Sequence, residues 1–201
     1  SKFVRSGKAQ LGLGLDGDAD RFGIVDKDGT WLTPNQILPL VLYHLKKNRG
    51  WTGAVVRTVP TSHQVDAVAK MLGVKVYETP VGFNHICDLM MNEQVLLGGE
   101  ESGGISILGH IPEGDGLLMG LLLVEMVAKR GKPLGMLLDD LMAAPDVGPF
   151  FYARNDQTVR PFKKKTLVAG LMRALPTTLA DQKVAKVSDN DGVKYILADN
   201  S

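Results

Sequence analysis

A single cysteine, Cys87, stands in 201 residues, so no internal disulfide can staple this chain and a reducing cytoplasm is the expected compartment. None of the four histidines (His44, His63, His85, His110) falls at zinc-ligand spacing with it. Charge of one sign is also lacking: 23 Lys and Arg against 22 Asp and Glu leave +1. That gives no electrostatic footprint for nucleic acid or for an anionic membrane surface. The longest nearly apolar run, Leu117 to Ala128, contains Glu125 and falls well short of the roughly 20 residues that cross a bilayer. The chain opens without Met, a charged n-region or a signal h-region, which predicts a piece of something longer. What is present, 44% apolar and 22% charged side chains, describes an ordinary core-forming chain and excludes collagen, long disorder and coiled coil.

The pattern along the chain predicts an α/β fold. Leu11 to Leu15 suits a short buried strand leading into Asp16-Gly17-Asp18-Ala19-Asp20-Arg21, and Phe22–Val25 with Thr30–Leu32 suits a hairpin. Ile37 to Lys47 has helical spacing, with Pro39 blurring its start. From Gly53 the segments alternate: strand Ala54–Val59, helix from Ser62 to Leu72, strand Val74–Glu78, helix Phe83–Met91, strand Gln94–Gly98. Such a series predicts a parallel sheet whose strand carboxyl ends carry the loops Pro60–Ser62, Thr79–Asn84 and Gly99–Gly104 on one rim, where ligands bind. A strand Gly104–Leu108 and helices Leu117–Lys129 and Leu134–Met142 follow. Beyond the linker-like Asp146–Pro149, the pattern predicts a β-α-β fragment from Phe150–Ala153, a helix Phe162–Leu175 and a last strand Gly192–Ala198.

Two loops carry chemistry. Asp16, Asp18 and Asp20 repel one another on a tight turn unless a hard divalent cation sits between them; a solvated acidic turn is the plainer alternative. An EF-hand does not fit, because Arg21 and Lys27 stand where its Gly and Glu belong. Arg21 beside the cluster suits a phosphate bridging metal and guanidinium. In Gly98-Gly99-Glu100-Glu101-Ser102-Gly103-Gly104, a carboxylate with a serine hydroxyl can hold the vicinal hydroxyls of a neutral sugar. Ser62 reads as a helix cap, Cys87 as a core residue, and His63 and His85 as solvated loop histidines bordering the rim.

Together the motifs Asp16-Gly17-Asp18-Ala19-Asp20-Arg21 and Gly99-Glu100-Glu101-Ser102-Gly103, with Thr79-Pro80-Val81-Gly82-Phe83 between them, resemble the α-D-phosphohexomutase superfamily of phosphoglucomutases and phosphomannomutases. The resemblance implies a three-layer α/β/α domain with a mostly parallel sheet, flanked by partial domains: 1–33 ending a second domain, 34–144 a complete third, and 145–201 a linker and the start of a fourth. It implies Mg²⁺ on Asp16, Asp18 and Asp20, a catalytic Arg21, substrate contacts at Gly82, Gly99, Glu100 and Ser102, and glucose 1,6-bisphosphate as activator of the complete enzyme. The expected partners are a hexose phosphate and the remaining domains of the same enzyme. Glu-Glu-Ser resembles glucose-preferring members, with mannose phosphates also possible. Asn84 departs from the family, where many relatives have a basic residue. The family's phosphorylated serine and its fourth-domain phosphate loop have no match here, so the 201 residues alone are expected to be inactive.

Two rival readings fit some of these residues. An apolar strand leading to Asp-x-Asp also opens haloacid dehalogenase-like phosphatases, although Asp20 stands where they want Thr or Val, and Leu117-Leu118-Met119 follow Gly114-Asp115-Gly116. A nonenzymatic sugar-phosphate-binding module is the other.

Overall fold

Leucines alternate with glycines from Gly12 to Leu15, and this segment forms β1, the outer strand of an antiparallel ribbon with β2 (Phe22–Val25) and β3 (Trp31–Leu32) in the order β1-β2-β3. The computed structural model describes residues 2–199. Two compact units divide between Tyr152 and Ala153. Pairing of Leu15 with Phe22 makes Asp16–Arg21 the turn of the first hairpin, and pairing of Val25 with Trp31 gives the expected second one. The expected burial of β1 is corrected: Leu13 and Leu15 stay 42% and 43% exposed. The strand is hydrogen-bonded to β2 on one side only, and its two leucines rest over glycines of a later helix rather than inside the core.

Helix α1 spans Pro34–Tyr43 and continues into a π-type turn, His44–Asn48. It starts three residues before the expected Ile37, because Gln36 reaches back to accept the Thr33 N–H at 2.9 Å and Pro34 needs no N–H partner in the first turn. The alternating segments are then β4 (Ala54–Thr58), α2 (Gln64–Met71), β5 (Val76–Thr79), α3 (Phe83–Asn92), β6 (Val95–Gly99) and β7 (Ile105–Ile107). They give one sheet in the order β5-β4-β6-β7, with β4 parallel to both neighbours and β7 antiparallel to β6.

Val55 on β4 joins the main core with α1 and α2, whereas Val56 joins a smaller cluster with Ile86 of α3 and Val95. Period-two alternation on a strand buried on both faces is what places the sheet between two helical layers. Arg57, 5% exposed, is held by Asp66 of α2 through two hydrogen bonds (2.8 and 3.0 Å) and by Glu78 of β5 (2.7 Å). Both helix and neighbouring strand are thereby tied to β4. At the end of β6 a Cβ on Gly98 would fall 2.4 Å from Ile86, and one on Gly99 would fall 2.3 Å from Leu38. The two glycines let α3 and α1 close on the sheet from opposite sides.

Helices α4 (Gly116–Arg130) and α5 (Leu134–Met142) complete the first unit. The first N–H groups of α5 are satisfied from far away in sequence: buried Asp26 accepts from Leu134 (3.1 Å) and Gly135 (2.8 Å). Glu125 on α4 accepts from Arg49 and Lys129.

The second unit holds α6 (Lys164–Arg173) and an antiparallel sheet of β8 (Thr178–Leu179), β9 (Gln182–Ser188) and β10 (Lys194–Leu197) in the order β10-β9-β8. The expected β-α-β fragment is corrected. Phe150–Ala153 form no strand, and β10 pairs antiparallel with β9, whose lysines and glutamine weaken the apolar alternation that would mark it.

This packing can be probed at two carboxylates. Asp26→Ala leaves two helix N–H groups without their acceptor and is expected to cost about 1–3 kcal/mol, read from the denaturation midpoint. Hydrogen bonds first from Arg49 and then from Lys129 hold the Glu125 carboxyl down from an ordinary 4.5 to about 2. A depressed folded-state value means that the stabilisation is complete above pH 4.5 and fades as pH falls toward 2. Acid titration of unfolding should therefore be flatter over that window in Glu125→Gln than in the parent protein.

Candidate active site

The hairpin turn between β1 and β2 gathers carboxylate oxygens of Asp16, Asp18 and Asp20 within 4.8 Å of one another. Ala19 takes a left-handed conformation (φ 61°), a strained choice for a residue with a Cβ, and it allows alternate aspartates to turn the same way. Arg21 closes the turn from its other end. Its backbone N–H donates to Asp16 (3.2 Å), and its Nε lies 3.0 Å from Asp16 and 3.3 Å from Asp20. Burial, joined by the charges of Asp18 and Asp16, pushes the Asp20 carboxyl up against the pull of the Arg21 hydrogen bond. Asp16 moves down, because the Arg21 N–H, Asp20 and the guanidinium outweigh its own desolvation. The donors are hard oxygens only, close enough for one ion to touch all three, so the set can hold a hard divalent cation.

Across from this turn, the loop after β6 folds back tightly: Glu100 N–H donates to Gly104 O (3.0 Å) and Gly103 N–H to Glu100 O (3.1 Å). The Glu100 carboxylate, 9% exposed, accepts from the Gly82 N–H (2.9 Å) and the Ser102 hydroxyl (3.1 Å). Glu101 accepts from Thr58 on β4 (3.2 Å), which itself shares a hydrogen bond with Thr61 (2.8 Å). Asp20, Arg21, Gly82, Glu100, Glu101 and Ser102 line one cleft of about 270 Å³. Gly99 does not line it, being the last, buried residue of β6. Asp16 and Asp18 stand outside the lining, on the same turn as Asp20.

Residues that sequence reading did not single out for the site complete it. Gly114 and Glu113 also line the cleft, and Gly116, the first residue of α4, donates its N–H to the Ala19 carbonyl (2.9 Å). The only sequence signal for them is an aspartate between two glycines just before an apolar helical run, which marks a helix start. The expected cap at Ser62 is corrected: the N-cap of α2 is His63, and Ser62 stands one residue before it, its hydroxyl accepting the Gln64 N–H (3.2 Å). Cys87 is only half-buried, a correction to its expected core position. It sits on the flank of α3 where Sγ–H donates to the Pro112 carbonyl, and burial, then Glu113, pushes its thiol up. His63, His85 and Asn84 do not line the cleft.

Residues 33–144 match the family model described as phosphoglucomutase/phosphomannomutase, alpha/beta/alpha domain III. A phosphoglucosamine mutase of Acetivibrio thermocellus is 37% identical over 73% of this chain and 33% of its own length. A phosphoglucomutase/phosphomannomutase of Thermococcus kodakarensis is 31% identical over 98% of this chain and 41% of its own. The crystal structure of a putative phosphomannomutase from Thermus thermophilus superposes with a TM-score of 0.76 at 32% identity, covering 93% of this chain and 38% of that one. The chain thus spans roughly a third to two fifths of the length of these relatives. Since the domain model alone covers more than half of the residues, the chain belongs to the phosphoglucomutase/phosphomannomutase family.

Proposed function

We propose that the protein carrying this chain interconverts hexose 1-phosphate and hexose 6-phosphate through a phosphoserine and a bisphosphorylated sugar, with glucose phosphates favoured and mannose phosphates accepted. The observation that carries the reading is the shared cleft: an acidic, arginine-closed turn faces a glutamate-serine loop across one space of about 270 Å³. Asp16, Asp18 and Asp20 would hold Mg²⁺, which when bound neutralises charge on a phosphoryl group. Arg21, already oriented by Asp16 and Asp20, adds a guanidinium for the same charge. Glu100 and Ser102 present an acceptor and a donor-acceptor side by side, suited to neighbouring sugar hydroxyls that look alike after the sugar turns end for end. Gly82 brings its backbone to the same spot, and Gly99 supports the loop from the strand end.

The nucleophilic serine and the remaining phosphate contacts belong, in this reading, to other domains of the same protein. Glucose 1,6-bisphosphate would act as activator by phosphorylating that serine. The chain's domains are read as 1–33 with the metal turn, 34–144 with the sugar loop, and 145–201 as linker and the start of a further domain. The phosphatase alternative fits less well: Asp115, which would belong to its second acidic motif, caps α4 instead. A glucosamine phosphate is a second substrate reading, favoured by the name of the 37% identical relative.

Two measurements on the full-length protein test this. Asp18→Asn should raise the Mg²⁺ concentration needed for half-maximal turnover and lower kcat; an unchanged Mg²⁺ titration would refute the metal assignment. Glu100→Gln should lower kcat/KM in both directions by about tenfold or more, the loss of a hydrogen bond to a charged group, with glucose, mannose and glucosamine phosphates run side by side to rank the sugars. A change within about twofold would remove the loop from sugar binding.

A further inference from the structure

The acidic turn does not stand alone on its ribbon. Its Ala19 carbonyl accepts the N–H of Gly116, the first residue of α4, and its backbone lies against the segment before that helix. A Cβ on Gly114 would fall 2.7 Å from the Asp20 carbonyl oxygen, and one on Gly116 would fall 2.9 Å from that of Arg21 and 3.1 Å from that of Ala19. Gly114 and Gly116 therefore form a seat into which the turn fits backbone to backbone.

Between them sits Asp115, whose groups are all committed to fixing that seat. Its N–H donates to Ile105 O on β7 (3.2 Å), and one carboxylate oxygen caps α4 by accepting the Leu118 N–H (2.8 Å). The other oxygen lies 3.0 Å from Nε2 of His110, whose own backbone N–H is anchored to Ile107 O (3.2 Å). The path from the central sheet to the metal turn is thus short: β7, the His110–Asp115 pair, the first turn of α4, the Ala19 carbonyl.

We propose that Asp115, braced by His110, is a positioning residue for the metal turn. It holds the α4 N-terminus where the Gly116 N–H keeps Ala19 in its left-handed conformation, so that Asp16, Asp18 and Asp20 stay convergent. This rests on the reading of those three aspartates as the metal site. Asp115 does not touch the ion. Its role is to remove a freedom that three repelling carboxylates would otherwise take.

The test is direct binding of Mn²⁺ to the full-length protein by electron paramagnetic resonance, with thermal unfolding measured on the same samples. Asp115→Ala should weaken Mn²⁺ binding by about tenfold or more, the range for groups that orient ligands. Asp115→Asn, which keeps an oxygen for the Leu118 N–H, should recover most of it. His110→Ala, which leaves the cap in place, should fall between the two and serves if Asp115→Ala does not fold. Mn²⁺ affinity within about twofold of the parent in His110→Ala and in every folded Asp115 variant, whatever their melting temperatures, would overturn the proposal, being far short of the loss that orienting groups cause. Parent and Asp18→Asn proteins binding Mn²⁺ equally would instead overturn the metal reading beneath it.

Discussion

Three carboxylates within 4.8 Å of one another set the main constraint on this molecule, because like charges at that spacing separate unless the backbone beneath them is held. The hold comes from three directions. The β1–β2 pairing fixes both ends of the turn, Arg21 supplies a positive charge at 3.0 and 3.3 Å, and the N-terminus of α4 engages the middle through Ala19. Helix α4 adds the field of its own N-terminus, which favours negative charge nearby. The cost is visible in the strained φ of Ala19 and in the opposed pKa shifts of Asp16 and Asp20. Sites that hold unfavourable charge together in the absence of a ligand are the ones a ligand stabilises most.

The second loop is governed by a different rule. Glu100 is nearly buried, so its carboxylate needs partners, and it finds them in Gly82 from the preceding loop and Ser102 from its own. Those bonds join two of the three rim loops. Glu101 joins the third, through Thr58 and Thr61 at the end of β4. Both adjacent glutamates line the cleft, but they are held differently: Glu100 by the neighbouring loop and its own serine, and Glu101 by the end of β4. A reading of residue types alone treats Glu100 and Glu101 as equivalent, and only the turn geometry separates them.

How much of this was legible in the sequence depended on the range of the interaction. Period-two and helical spacing located β4, α2, β5, α3 and β6 to within a residue or two, because each helix turns one face to a core and β4 and β6 are buried along their length, and the pattern records it. The Asp16–Arg21 and Gly99–Gly103 loops were legible because their chemistry is written in consecutive residues. The start of α1 was readable in Thr33-Pro34-Asn35-Gln36, a capping signature, but the breaker Pro39 outweighed it. Exposure of β1 was not readable, since leucine and glycine say only that a neighbour is close, not that the strand is enclosed. Hidden too were Asp26 capping α5 and Gly116 meeting Ala19, contacts between residues distant in sequence that no local pattern encodes.

The glycines show how those distant contacts were made possible. Gly98 and Gly99 let helices approach the sheet, Gly114 and Gly116 let a helix start approach a turn, and Gly120 leaves room for Leu13. Gly98 and Gly99 admit different helices, so one short segment joins two elements at once, whereas Gly114 and Gly116 both admit the same turn. Close backbone approach gives this fold its precision at the cleft, because a carbonyl held by an N–H has less freedom than a side chain held by another side chain. A larger residue at any of these points would not merely fill space. It would push a loop off its seat, and with it the carboxylates or the glutamate that the loop presents.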